Sequence, residues 1–263
     1  MIKELEELAR YLKKSGPYSD FVEVNELSQV KYKGKDYPLY AFILGSQKPE
    51  APTYFLTGGV HGLERIGAQL CFSYLKHLID RVLWDQVFIN MLSEIRFVFI
   101  PLLNPVGYEH YTRSNHNGVD LMRNSPIDAV DKVPWLVGGH RISNKLPWFR
   151  GTEGQLEPEN HFLENIFNQY CIKSKCLIAV DFHSGFGLKD QLWFPYAHTK
   201  ALFPHLPHVH SLLGLFEKTY PYHVYKIEPQ NQVYMLHGDL WDYLYLKYTK
   251  ENNGVFIPLT LEM

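Results

Sequence analysis

The hydrophobic positions of this chain alternate between helical and strand spacing from one end to the other. Ile2, Leu5, Leu8 and Leu12 share one helical stripe, so Ile2 to Lys14 predicts a surface helix ended by Ser15-Gly16-Pro17. Phe21 to Leu27 alternates apolar and polar residues and Tyr37 to Leu44 follows a Lys-Gly-Lys turn at Lys33 to Lys35, which predicts a hairpin. Tyr54-Phe55-Leu56-Thr57 is an apolar, β-prone run that stops at Gly58-Gly59. Beyond it Leu70, Cys71, Tyr74, Leu75, Leu78, Ile79, Val82 and Leu83 recur at three and four, a helix of about 18 residues whose stripe belongs in the core. Ile95 to Leu102 is nearly all apolar, as a central strand covered on both faces would be. Phe162, Ile166, Phe167 and Tyr170 predict a helix with Pro158 in its first turn, and Leu177 to His183 a buried strand. Tyr222 to Ile227 and Val255 to Met263 read as strands, and Leu240, Leu244 and Tyr248 as a helix that Asp239 would cap. Strand and helix signals follow one another without a linker through 263 residues, 46% of them hydrophobic, so residues 1–263 read as a single domain with one large core.

Charge narrows the partners. The formal net charge is −2 and no basic stripe is present, which argues against nucleic acid or an anionic membrane and for a peptide or small-molecule substrate. No run is long enough to span a bilayer, and the first 14 residues lack the apolar stretch of a signal peptide. Cys71, Cys171 and Cys176 are odd in number and without metal-ligand spacing, which agrees with buried, reduced thiols and a cytoplasmic location.

The chemistry gathers where strands end. His61 and Glu64, in Gly58-Gly59-Val60-His61-Gly62-Leu63-Glu64, sit where strand gives way to helix, the edge at which open α/β sheets bind ligands. An imidazole and a carboxylate three residues apart across a first helical turn can face one centre, and zinc accepts both. Taken alone, the pair is a weak signal and reads more readily as a solvated histidine beside a helix N-terminal glutamate. A zinc site needs a third protein ligand, and His183, where the Leu177 strand runs into Ser184-Gly185, is the candidate. The segment from Leu103 to Glu157 is rich in Pro, Gly, Asn and Arg with little periodicity, a functional loop region in which substrate contacts belong. His205, His208 and His210, flanked by Pro204 and Pro207, read as a surface loop rather than a second metal site.

Several of these pieces occur in a fixed order: H-x-x-E at His61 and Glu64, N-P-x-G-Y at Asn104 to Tyr108, Arg113, then Gly118-Val119-Asp120-Leu121-Met122-Arg123-Asn124, a strand ending in His183, and Glu262 on the last strand. In this the chain resembles the zinc carboxypeptidases, peptidase family M14, over about its last four fifths. The resemblance implies an α/β fold, a mixed and mostly parallel twisted sheet with helices on both faces. It implies one zinc ion per chain on His61, Glu64 and His183, and Asp120 accepting a hydrogen bond from the first ligand histidine. Arg113 then matches the arginine that polarises the scissile carbonyl, Arg123 the one that pairs with the substrate's terminal carboxylate, and Tyr234 the tyrosine that closes over the substrate. Glu262, a carboxylate at the end of an apolar strand, matches the group that takes a proton from zinc-bound water and passes it to the leaving amine.

Two departures stand out. Met122 replaces the asparagine that usually helps the second arginine, and a thioether cannot donate a hydrogen bond. Recognition of a free C-terminus should weaken by about 1.5 to 3 kcal/mol. The resemblance also implies further chain beyond Glu262, commonly a closing helix, whereas the sequence stops at Met263, an end that is either the true terminus or a truncation. Asp239 or Asp242 in the end-residue pocket would favour a basic side chain, and Leu240 or Trp241 an apolar one. The first reading is thus a zinc metallocarboxypeptidase. Its rivals are a zinc amidase acting on cell-wall peptides or N-acylated amino acids, drawn from Met122, and a non-catalytic zinc- or peptide-binding relic, drawn from the abrupt end.

Overall fold

The computed structural model describes residues 1–13, 18 and 20–263, with the side chain of Leu27 outside that set. The expected helix stop at Ser15-Gly16-Pro17 lies outside the described residues.

The first helix, α1 (Ile2–Lys13), lays Leu5, Ala9 and Leu12 on the sheet. Strands β1 (Val22–Tyr32) and β2 (Lys35–Gly45) form the predicted hairpin, and both reach the turn itself, where Lys33 and Gly34 take positive φ of 49° and 77°. Next come β3 (Thr53–Gly58), α2 (Arg65–Arg81), α3 (Gln86–Leu92), β4 (Arg96–Ile100) and α4 (Pro105–His110). The expected loop region contains α4 and a single 3-10 turn at Leu121–Arg123, and ends at α5 (Pro158–Tyr170). The chain closes with β5 (Cys176–His183), β6 (Gln191–Phe194), α6 (Leu206–Thr219), β7 (Lys226–Pro229), α7 (Gln230–Val233), α8 (Leu240–Glu251) and β8 (Val255–Glu262).

Among the described residues these strands form one mixed sheet of eight, in the order β1-β2-β4-β3-β5-β8-β6-β7. The centre, β4-β3-β5-β8, is parallel, and antiparallel pairs lie at β1/β2, β2/β4 and β6/β8. Alternate residues of a strand point to opposite faces, so Phe55 and Val98 pack with Phe167 of α5 and Tyr248 of α8. Leu56 and Phe99 pack on the other face with Leu75 and Ile79 of α2 and Leu5 of α1. Helices therefore cover both faces, as the resemblance implied. Chain order reverses at β3: β4 lies on one side of it and β5 on the other, which opens a crevice at the carboxyl ends of these strands. No described helix is long and apolar enough to cross a membrane.

Several local expectations need correction. The three-histidine segment is not a loop, because α6 begins at Leu206 with Pro207 in its first turn and carries His208 and His210. The strand expected at Tyr222 to Ile227 begins only at Lys226. Leu70 and Tyr74, assigned to the core by periodicity, are 40% and 38% exposed, since the apolar stripe of α2 is wider than the strip of sheet it covers. Cys71 and Cys171 are buried, but Cys176 at the start of β5 is exposed.

Candidate active site

The geometry begins with where strands stop. β3 ends at Gly58, β5 at His183 and β8 at Glu262, and in the β5/β8 register His183 and Glu262 are partners. Their side chains therefore leave the same end of adjacent strands. Glu64 stands at the N-cap of α2 but makes no capping hydrogen bond. Its carboxylate turns to the histidines instead, Oε1 lying 2.8 Å from His61 Nδ1 and Oε2 2.8 Å from His183 Nδ1. The two Nδ1 atoms are 3.2 Å apart, and ligand atoms of all three residues fall within 4.8 Å of one another. Among the described residues His61, Glu64 and His183 form the one such metal-ligand cluster, and all three are buried.

The far side of each imidazole fixes its tautomer. His61 Nε2 donates to Asp120 Oδ1 at 3.1 Å, and His183 Nε2 donates to Asp181 Oδ2 at 2.8 Å. With both Nε2 protons committed, both Nδ1 atoms carry a free lone pair toward the centre. Two imidazole nitrogens and one carboxylate around an accessible centre are the donor set of an open zinc site. The residues therefore fit the metal.

Asp120 caps the 3-10 turn through the Met122 N–H and collects three further donors: His61, Arg113 Nε and Arg123 Nη1, the two arginines at 2.9 Å each on Oδ2. Burial by itself would raise the Asp120 carboxyl, but Arg123, Arg113 and His61 outweigh it and hold the group well below the usual carboxylate range. Arg113 also reaches Glu64 Oε1 at 3.3 Å. Arg123 is buried and steadied from behind, its Nε donating to the Val137 carbonyl. Glu262 is buried, and its Oε2 has no hydrogen-bond partner. Burial, reinforced by Glu64, raises its proton affinity against the pull of His183, His61 and Arg113.

One cavity brings the predicted residues together, with His61, His183, Arg113, Arg123, Tyr234 and Glu262 on its walls and Met122 beside Arg123. Tyr234 is half-buried at the end of α7, its ring 5.7 Å from that of Phe186 and 6.1 Å from that of Trp193. Asp239 also lines the cavity while its Oδ1 caps α8 by accepting the Asp242 N–H at 2.8 Å, and burial together with Asp242 pushes its carboxyl up to about 8. Asp242 lies deeper, where its Oδ2 accepts from the Ala197 and His198 N–H groups and from His198 Nδ1. Leu240 is buried in the core.

The roles of three residues of this neighbourhood were not legible in the sequence. Asp181, Trp241 and Arg150 meet their partners only through the fold: Trp241 Nε1 donates to Asp181 Oδ2 at 2.9 Å, and Arg150 Nε donates to the Arg123 carbonyl at 3.1 Å. The one available signal was Asp181 itself, a charged residue inside an apolar strand two positions before His183. Gly238 belongs to the same support, since at φ 71° a Cβ there would lie 2.0 Å from the Arg123 carbonyl oxygen.

The fold and the site together define an α/β protein in which two histidines and a glutamate are able to hold a metal ion, with Glu262 and two arginines lining the same cavity as the histidines. The family model described as zinc carboxypeptidase matches residues 12–263, and the chain belongs to that family. It is 25% identical over 155 residues to carboxypeptidase E of Caenorhabditis elegans, covering 54% of this chain and 32% of that protein. It is 30% identical over 138 residues to the carboxypeptidase N catalytic chain of Rattus norvegicus, covering 47% and 28%. Among solved structures, thrombin activatable fibrinolysis inhibitor superposes with a TM-score of 0.76 at 18% identity, covering 99% of this chain and 65% of that one. The alignments thus span about a third of those curated relatives, and the likeness to the solved structure is one of fold.

Proposed function

We propose that the protein is a zinc metallocarboxypeptidase that hydrolyses the C-terminal peptide bond of a peptide or peptide-like small substrate. The observation that carries this reading is the single cavity in which the metal-ligand histidines, two arginines and a buried carboxylate with a free oxygen converge. Zinc on His61, Glu64 and His183 would supply a Lewis acid and an acidified water.

The chain's own residues perform the rest. Glu262 Oε2 takes a proton from the attacking water and delivers it to the leaving amine, and its raised proton affinity suits that exchange. Arg113, tethered by Asp120 and Glu64, offers its remaining N–H groups to the oxyanion that develops on the scissile carbonyl. Arg123, fixed by Asp120 and the Val137 carbonyl, pairs with the terminal carboxylate and sets which bond lies beside Glu262. Tyr234 closes over the bound end residue. Water and amide become carboxylate and amine.

Met122 supports a second reading. It lines the cavity where a hydrogen-bond donor for the carboxylate would serve, so a zinc amidase acting on cell-wall peptides or N-acylated amino acids also fits. Matched peptides with free and amidated C-termini separate the two. Cleavage of the free-terminus series alone is the expected result, and cleavage of both at similar rates would replace the carboxypeptidase reading with the amidase one.

A further inference from the structure

Asp181 takes no part in the mechanism above, yet it is a fully buried carboxylate two residues before His183 on the same face of β5. Its surroundings differ from those of Asp120. Asp120 shares its charge between two oxygens, four donors and two guanidinium groups. Asp181 has two donors, His183 Nε2 at 2.8 Å and the indole N–H of Trp241 at 2.9 Å, both on Oδ2. Its Oδ1 is buried with no partner, and no lysine or arginine bonds to it among the described residues. A buried charge left in this state costs free energy unless another charge offsets it. The group it bonds is an imidazole whose opposite nitrogen faces the metal centre. The charge balance of Asp181 therefore runs through His183, whose Nδ1 is the atom offered to a metal.

We infer that Asp181 is a positioning residue for the metal: through its hydrogen bond it holds His183 as the Nε2–H tautomer with Nδ1 aimed at the centre, and so makes His183 a stronger and more persistent zinc ligand. Trp241, the second residue of α8, sets the angle of the carboxylate and ties it to the helix whose cap, Asp239, lines the substrate cavity. Both ligand histidines are then backed by a carboxylate, but only Asp120 has arginines bonded to it among the described residues. The inference rests on the zinc reading of the site.

Zinc retention in the full chain tests it, followed by transfer to a chromophoric chelator and by equilibrium competition. Asp181→Asn keeps an oxygen that can accept both hydrogen bonds and removes the charge, so zinc should leave about 10- to 100-fold faster. The urea resistance of the metal-free variant should fall by less than its zinc retention does. Trp241→Phe, which keeps the charge, should change zinc release less than Asp181→Asn does. A merely structural brace gives the reverse, with the metal-free variant weakened and zinc release unchanged, and that result overturns the inference. If wild type itself takes up no zinc, the fault lies in the zinc reading beneath. Should Asp181→Asn fail to fold, nitrogen-15 spectra of zinc-loaded wild type decide the matter. A solvent-protected proton on His183 Nε2 is expected, and an Nε2 without a proton contradicts the proposal.

Discussion

Asp120 accepts four hydrogen bonds on two oxygens, and each donor belongs to a different part of the site. One carboxylate thereby aligns a candidate metal ligand and the two arginines proposed to meet the reacting carbonyl and the substrate's end. Arg123 carries the sharpest consequence. Replacing it by Gln removes a charged partner of the terminal carboxylate worth about 1.5 to 3 kcal/mol, so kcat/KM for free-terminus peptides should fall by roughly 10- to 150-fold. Steady-state kinetics should place most of that loss in KM, while amidated peptides change little. Met122→Asn supplies a donor in the same wall of the cavity and should raise kcat/KM for free-terminus peptides alone. At this scale the sequence was informative wherever a residue's chemistry conflicted with its setting. His183 and Glu262 are polar ends on apolar strands, and His61 and Glu64 follow a glycine-rich stop. Asp181, Trp241 and Arg150 stayed hidden in their roles because their partners are brought together by tertiary packing: 60 residues separate Asp181 from Trp241, and 27 separate Arg150 from Arg123.

Between elements, a close contact of α2 with β5 constrains the site. A Cβ on Gly67 would lie 2.1 Å from the Phe182 carbonyl oxygen, one residue before His183. Gly67→Ala should cost about 1 to 3 kcal/mol, seen as a lowered melting temperature, and should weaken zinc binding through displacement of β5. The start of α8 gives a pH-dependent counterpart. Burial would lower the proton affinity of His198, but its bond to Asp242 overrides this and raises its pKa above the usual histidine value. The stabilisation from this pair is then complete below about pH 6.5 and lost as pH rises through the raised value. Asp242→Asn should move the His198 titration in proton NMR down toward or below that reference, and its stability deficit should shrink as pH rises. Long periodic elements such as α2, α5 and α8 were legible because many residues vote for each. Short ones were not: α3 has seven residues and β6 four, too few for periodicity to tell them from loop. The start of α6 was misread because two prolines suggest a loop, although proline also suits a first helical turn.

For the molecule as a whole, the sheet is a device for bringing three chain segments to one edge. Its reversal of order at β3 sets His61 and Glu64 beside His183, and β8 adds Glu262 next to it, although these residues span 201 positions of sequence. The metal should then couple the segments in stability as well as in chemistry. Removing it with a chelator should abolish turnover and lower the melting temperature, and one equivalent of zinc should restore both. The central claim is that a bound metal and Glu262 act together to hydrolyse a C-terminal peptide bond. The most direct measurement is metal content and hydrolysis on the same purified protein, wild type beside Glu262→Ala, with a free-terminus peptide panel. About one zinc in each, with cleavage by wild type and a loss of at least about a thousandfold in the variant, is the predicted result. Equal cleavage by both proteins, or wild-type cleavage that persists without metal, would contradict it.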